Sequence, residues 1–349
     1  MWGVTFADLR FRYRQFLIAV IGAGVVLAMA LLLSGLVGGF GAEIDRTVQG
    51  VGAQWWVLSD NAHGRITGAG LYPSAEAAAI RQAPGVTRAA PLAVMAGQVA
   101  RINGASKTVY VFGVQLGNMG DPSVTSGRPL SGNGQVVADV TSGAAVGSRI
   151  QVGSQHFVVV GQVANRTMQG GLPVLYLTLH DAQVVALGGR PLVSAVVTRG
   201  KPSSLPAGLS VLSNQGVQQS TLEQMSGAIS SINNSRIIMW VVAAIIVAAL
   251  LYVSALQRVR DFAVLKALGS SSLSLYGSLA AQAVVVTLLA AGLGMVLTNF
   301  MGGVFRQPVV IPATAYATLP AIAVAIGLIS SLVGARRAMS ADPAAAFGG

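Results

Sequence analysis

Arg258-Val-Arg-Asp-Phe-Ala-Val-Leu-Lys-Ala-Leu-Gly269 decides how this chain is read. The stretch is charged and patterned as a helix. Phe262, Leu265 and Leu268 recur at i, i+3 and i+6 and so line one face, and Gly269 stands where a C-cap glycine ends a helix. Before it, Ile237 to Gln257 is a run of 21 residues without a charge; after it, no charge appears from Ala267 to Phe305. A short helix trapped between two apolar runs has no domain in which to bury its stripe. It lies on a membrane surface or docks into another protein.

Composition agrees with a membrane setting. The 349 residues are 53% hydrophobic and 9% charged, with a mean hydropathy of +0.66. A soluble domain carries about 25% charged residues. The deficit is uneven: thirteen of the 22 Lys and Arg and eight of the 11 Asp and Glu fall between Ala42 and Arg236. That interval is therefore a water-soluble domain joined to a membrane part. The net charge of +11 does not point to nucleic acid, because the basic residues form no run on the soluble part and several cluster beside apolar stretches. With no cysteine, disulfides, thiolate catalysis and cysteine-based metal sites are excluded.

Working outward gives a membrane protein of four transmembrane α-helices with an α+β extracytoplasmic domain inserted between spans 1 and 2. Residues 1–15 read as a cytoplasmic amphipathic helix, with Phe6, Leu9 and Tyr13 at helical spacing and Arg10, Arg12 and Arg14 as basic anchors. A plain basic flank is the simpler alternative. Span 1 takes residues 16–40, because about 20 apolar residues cross a bilayer. Its apolar run continues past Ala28-Met-Ala30, which resembles a signal-peptide cleavage site, so an uncleaved anchor is expected. The extracytoplasmic domain takes residues 41–236 and span 2 takes 237–257. A cytoplasmic segment covers 258–274, span 3 covers 275–300, and a short external loop covers 301–316. Span 4 takes 317–335 and a cytoplasmic tail 336–349. The N-terminus, the 258–269 stretch and the C-terminus together hold eight Lys and Arg, against Arg306 alone on the other side. The positive-inside rule thus places both termini in the cytoplasm, with the chain multi-pass in the membrane.

Within the domain, Gln54–Ser59 predicts a strand, and Pro73–Gln82 a helix capped by Ser74 and stopped by Pro84-Gly85. Asn103-Gly104 between Gln98–Ile102 and Lys107–Val114 predicts a hairpin. Further strands are expected at Gln135–Ala138, Arg149–Val152, His156–Val163, Val174–Leu177 and Leu192–Thr198. A helix is expected at Leu179–Leu187, a turn-rich stretch at Pro202–Leu212, and a helix leading into the membrane at Thr221–Asn234. Of Trp55 and Trp56, alternation buries at least one as core.

Catalytic signals are missing. No G-x-x-x-x-G-K-[ST] cradle for phosphates is present, and no G-x-S-x-G elbow. His63, His156 and His180 are scattered, and Asp139 and Asp181 are solitary carboxylates. The spans, as bounded above, contain no ionisable residue of the kind that marks a proton or ion path. An energy source outside the membrane part is expected, and with it a partner. Gly35 and Gly39 form a G-x-x-x-G pair suited to a helix contact between two copies.

The arrangement resembles the MacB/LolC/FtsX-type ABC transporter permeases. Arg258, Asp261, Ala263, Leu265, Lys266, Ala267, Leu268 and Gly269 are similar to that family's R-x-x-E-x-A-x-L-[RK]-A-[LI]-G coupling segment, with Asp261 in place of Glu. Ala335-Arg-Arg-Ala338 with Asp342-Pro343 resembles its C-terminal ending. Gly127-Arg-Pro-Leu130, Val136-Val-Ala-Asp139 and Val146-Gly-Ser-Arg-Ile150 resemble a MacB-like periplasmic domain. The resemblance implies a non-catalytic permease subunit that binds no cofactor itself, with ATP and Mg held by a separate ABC ATPase in two copies. It also implies a second permease copy or a paralogue, contact with membrane lipid, and an extracytoplasmic partner in some members; nucleic acid is not a partner. Phe262, Leu265 and Leu268 would anchor the segment in the ATPase, and Arg258, Asp261 and Lys266 would form its rim. ATP hydrolysis would then move the extracytoplasmic domain, by mechanotransmission, to export or extract an amphiphilic substrate. The alternative is an FtsX-type signalling subunit that regulates a cell-wall enzyme outside; a membrane anchor unrelated to ABC transport is a third reading.

Overall fold

The computed structural model describes residues 13–67, 70–257, 272–302 and 309–339. Its helices are α1 (Tyr13–Gly50), α2 (Glu76–Gln82), α3 (Leu179–Leu187), α4 (Asn214–Gln224), α5 (Ser226–Leu256), α6 (Ser272–Met301) and α7 (Ala313–Met339). Four of these, α1, α5, α6 and α7, are long and apolar enough to cross a membrane. The chain forms two compact units, Met1–Gly38 with Ala228–Gly349, and Gly39–Gly227. The stretches expected as spans, 16–40, 237–257, 275–300 and 317–335, lie on these helices except for Gln257, one residue past the end of α5. The helices overrun the spans because a helix does not stop where the hydrocarbon stops; α1 continues ten residues past position 40 to Gly50.

The helical unit packs through small residues. A Cβ at Gly294 would come within 3.1 Å of the Gly24 carbonyl oxygen, so α1 and α6 touch backbone to backbone. Thr298 Oγ1 adds hydrogen bonds to the Gly294 and Ala28 carbonyls at 2.7 and 3.3 Å. Ser330 Oγ on α7 donates to the Ala244 carbonyl on α5 at 3.0 Å. Without a hydrophobic drive inside lipid, such close approach and interhelical hydrogen bonds hold the bundle. Leu27, Leu31, Val247, Leu251, Ala290 and Ala323 fill its centre. Ile18, Ile238, Ile245, Leu289 and Ile329 remain outward and exposed, as a lipid-facing surface requires.

The second unit is sheet-rich. Its strands are β1 (Trp55–Ser59), β2 (Tyr72–Pro73), β3 (Arg88–Ile102), β4 (Ala105–Val114), β5 (Ser126–Gly127), β6 (Gln135–Asp139), β7 (Arg149–Val152), β8 (Gln155–Val163), β9 (Thr167–Met168), β10 (Leu172–Thr178), β11 (Leu192–Val193), β12 (Ala195–Arg199) and β13 (Leu209–Ser213). Pairing runs β3-β4-β10-β6-β8, and β7 pairs with both β8 and β3, so six strands close into a ring. Alternate residues point inward: Val109 and Val111, Val136 and Ala138, Ile150 and Val152, Leu175 and Leu177 share one buried cluster. Closure leaves β3 too long for one sheet, and it bends. Its register shifts by one residue between Met95 and Gln98, with Gly97 at φ 69°, a bulge that only a residue tolerant of positive φ accepts readily. Before the bend, Arg88–Leu92 of β3 carry an antiparallel extension, β12-β1-β13.

Ser74 does not cap α2; the N-cap is Ala75 with no side-chain bond, because the Ser74 amide is engaged by the Pro191 carbonyl next to the short β2–β11 pair. The strand expected over Leu192–Thr198 is two strands. Buried Ser194 interrupts it: its Oγ accepts from the Val94 amide at 2.9 Å and so takes over a ladder position. The turn-rich stretch at Pro202–Leu212 hides β13, which pairs with β1 over five positions. The helix expected at Thr221–Asn234 is two helices, α4 and α5, separated at Met225. The hairpin at Asn103-Gly104 forms as read, with both residues at positive φ, and α3 forms with the expected bounds. Trp56 is fully buried, and its Nε1 donates to Asn214 Oδ1 at 2.8 Å; Trp55 keeps one face for the Lys201 ammonium.

Candidate functional site

The residues expected to couple to an ATPase, Arg258, Asp261, Phe262, Leu265, Lys266, Leu268 and Gly269, lie outside the described residues, as do most of residues 1–15 and of the C-terminal tail. What is described is their frame: α5 ends at Leu256 and α6 begins at Ser272. Gly35 is buried, and its close neighbour is in the same chain. The Val310 amide donates to the Gly35 carbonyl at 2.9 Å, and a Cβ there would sit 2.7 Å from Ile311 Cγ1. Gly39 is also buried.

The most constrained polar site lies in the sheet-rich unit, on the last turns of α1. Glu43 is 1% exposed. Its Oε1 accepts from Thr167 Oγ1 and from the Gly171 amide at 2.8 Å, and its Oε2 accepts from the Gly170 amide at 2.8 Å. One turn on, the Arg166 guanidinium donates through Nη1 to the Arg46 carbonyl. It lies across Gly50, where any Cβ would collide with it. Glu43, Arg46 and Gly50 follow at i, i+3 and i+7, so one helix face meets the 166–171 tongue. The tongue is itself fixed, because Asp139 Oδ2 accepts from the Arg166 amide at 2.7 Å and β9 pairs with β10. On another side of the helix, Asp45 Oδ1 accepts from Gln218 Nε2 of α4. Ile44, Val48 and Val51 enter the same core as Val217 of α4 and Met168 of the tongue. The carboxylate is thus buried with donors on both oxygens, the arrangement in which a buried charge is tolerated.

The comparisons with known proteins fit this architecture. Residues 16–232 match the MacB-like periplasmic core domain, and residues 236–343 match the FtsX-like permease C-terminal domain. The chain belongs to the MacB/FtsX-type ABC transporter permeases. It is 37% identical over 342 residues to the uncharacterized ABC transporter permease Rv2563 of Mycobacterium tuberculosis, covering 98% of each chain. It is 36% identical to the uncharacterized ABC transporter permease Rv0072 of the same organism, again over 98% of each. Among solved structures, the periplasmic region of MacB from Actinobacillus actinomycetemcomitans aligns at 12% identity and a TM-score of 0.36, over 52% of this chain and 97% of that one. The extracellular domain of YknZ, a noncanonic ABC-type transporter from Gram-positive bacteria, aligns at 13% identity and 0.35, over 46% and 98%.

In this permease the solitary carboxylates have structural work. Asp139, fully buried, holds Thr141 and the Arg166 amide; Asp181 Oδ2 accepts from the Gly134 amide at 2.8 Å. Among the described residues, no group of three His, Asp or Glu is placed to hold a metal ion. The sequence reading missed Glu43, Arg166 and the tongue. Two signals marked them: Glu43 is the first charge after the run from Gln15 to Ala42, and Gly170-Gly171 is a tandem glycine inside a strand-rich stretch.

Two buried tyrosines flank the clamp and report on it. Burial, with the Glu43 carboxylate adding to it, pushes the Tyr110 phenol up to about 12. Burial likewise pushes Tyr176 up to about 12, opposed by the Arg166 guanidinium and aided by Asp139. Both folded-state values lie above the ordinary 10, so the neutral phenols stabilise the fold below pH 10, and that contribution is lost as the pH rises toward 12. An ultraviolet titration of tyrosinate is expected to show Tyr110 and Tyr176 ionising late and together with alkaline unfolding, as does Tyr72, whose phenol burial also raises. Loss of a late-ionising group in neither Tyr110→Phe nor Tyr176→Phe would contradict this packing.

Proposed function

We propose that this permease subunit couples ATP hydrolysis in a separate ABC ATPase to movement of its sheet-rich domain, and that the movement exports or extracts an amphiphilic substrate. The observation that carries the reading is the seating of α1. The helix that supplies the first span ends with Glu43 and Arg46 gripped by the tongue of the domain. A helix held in this way passes displacement on instead of sliding, which is what mechanical coupling needs. The cytoplasmic contact would be the Arg258–Gly269 segment, with Phe262, Leu265 and Leu268 as anchors and Arg258, Asp261 and Lys266 as rim. Both termini would be cytoplasmic, two ATPase copies would serve two permease copies, and ATP with Mg would be held by the ATPase. The chain lacks a phosphate-cradling loop, so on its own it is expected to hydrolyse no ATP. The test is hydrolysis by the purified permease with and without a partner ABC ATPase co-expressed from the same organism. Activity that requires the second chain, and that changes when the permease is reconstituted with it, supports the proposal; turnover by the permease alone sinks it.

A further inference from the structure

The helical unit holds one cationic side chain whose partners do not account for it. Arg236 lies on α5 at the end of the bundle where the chain leaves at Gly38 and returns at Ala228. Its Nη1 donates to Ser34 Oγ at 3.2 Å, and its Cζ lies 5.3 Å from the Trp240 ring centroid. Its Nε is buried without a hydrogen-bond partner. A guanidinium carries five N–H donors. Among the described residues of this unit there is no Asp or Glu at all, so no carboxylate of the bundle neutralises it. A half-buried guanidinium at the end of a span, with its Nε buried and unpartnered, is placed to take an anionic ligand at the membrane interface.

Arg236 lines a cavity of about 360 Å³ between α1, α5 and α7. Ser34 and Thr314 stand with it as polar lining, while Leu31, Leu319 and Ile322 supply apolar walls. Ile237 and Ile238, immediately after Arg236, are 51% and 57% exposed on the lipid-facing surface. A planar fork of donors at one end and hydrocarbon walls at the other suits a phosphate attached to acyl chains better than a free anion.

We propose that this cavity binds the phosphodiester headgroup of an anionic phospholipid, with the guanidinium of Arg236 as its principal ligand and the glycerol and upper acyl carbons against Leu31, Leu319 and Ile322. The proposal needs only the membrane setting and not the coupling mechanism. Basic pockets between spans hold anionic lipid headgroups on the cytoplasmic side of other membrane proteins, and the same chemistry would serve here at the outer end of the bundle.

The test uses the full chain in detergent micelles carrying phosphatidylglycerol or phosphatidylcholine, with retained lipid read by native mass spectrometry. The wild type is expected to keep phosphatidylglycerol about fivefold over phosphatidylcholine. Arg236→Gln should level the two, and Arg236→Lys should keep part of the preference. Thr318→Phe, at an exposed position that lines the cavity, should cut retention by filling the space without disturbing the core. Thermal unfolding of each variant separates lost binding from lost folding; if Arg236→Gln does not fold, Thr318→Phe decides. Excess inorganic phosphate should displace little. Equal retention by the wild type and these variants overturns the proposal, and displacement by inorganic phosphate overturns the lipid assignment in favour of a soluble anion.

Discussion

Glu43→Ala is expected to destabilise the sheet-rich unit by about 3 kcal/mol or more. The change removes one carboxylate, but the cost arises at the groups left behind. Buried Thr167 Oγ1 and the half-buried amides of Gly170 and Gly171 all donate to it, and a donor shut away without an acceptor costs about 1–3 kcal/mol, Thr167 the most. For a unit of this size, that corresponds to a fall of about 6–12 °C in melting temperature. Glu43→Gln is expected to fall between. Its carbonyl oxygen serves Thr167 and Gly171, while its amide nitrogen faces the Gly170 N–H, donor against donor. Thermal unfolding of the full chain in detergent, followed by far-ultraviolet circular dichroism, measures the order. If alanine melts with the wild type, the tongue does not hold α1. On the coupling proposal, Glu43→Gln also weakens the effect of the domain on ATP hydrolysis while leaving the ATPase bound.

The positions of the four membrane helices and the inserted domain were legible because both rest on strong, local signals. Charge-free runs as long as Ile237–Gln257 have few other interpretations, and Asn103-Gly104 forces a hairpin wherever it stands between two strand-like runs. The helix at Leu179–Leu187 was equally plain, since Thr178 caps it and Gly188 ends it in the left-handed conformation. What sequence did not yield depends on distant partners. β7 closes the six-strand ring by pairing with β3, about fifty positions earlier, and no local pattern announces that. Ser194 breaks a strand only because the Val94 amide lies against it. Glu43 read as the mere end of a hydrophobic run; its role appears once the tongue, more than 120 positions later, folds back onto α1. Gly35 reads as a contact between two copies until the stretch Val309–Ile311 is seen lying against it within one chain. The common physical reason is that an acceptor or a small residue specifies a need, while tertiary structure decides what meets it.

Leu265→Asp is expected to abolish co-purification of the ATPase while leaving the permease inserted and folded. Leu265 is the middle of the three apolar positions, flanked at i−3 by Phe262 and at i+3 by Leu268. In a helix docked by one face, the central anchor is the most completely desolvated, and truncating such a residue costs 2 kcal/mol or more. Aspartate adds the penalty of a carboxylate with no partner in an apolar groove. Together these weaken binding by about a hundredfold or more, enough to lose a complex during purification. The bilayer spans are untouched: the nearest described helix ends, Leu256 and Ser272, are nine and seven positions away. Asp261→Glu is the matched control. It restores the longer acid found in the coupling segment of related permeases, keeps the sign of the charge, and is expected to hold the ATPase at least as well as the native residue. If Leu265→Asp retains the ATPase, the segment is a surface helix held by lipid, and another cytoplasmic element carries the contact. If both variants lose it, the charged rim rather than the apolar face governs docking.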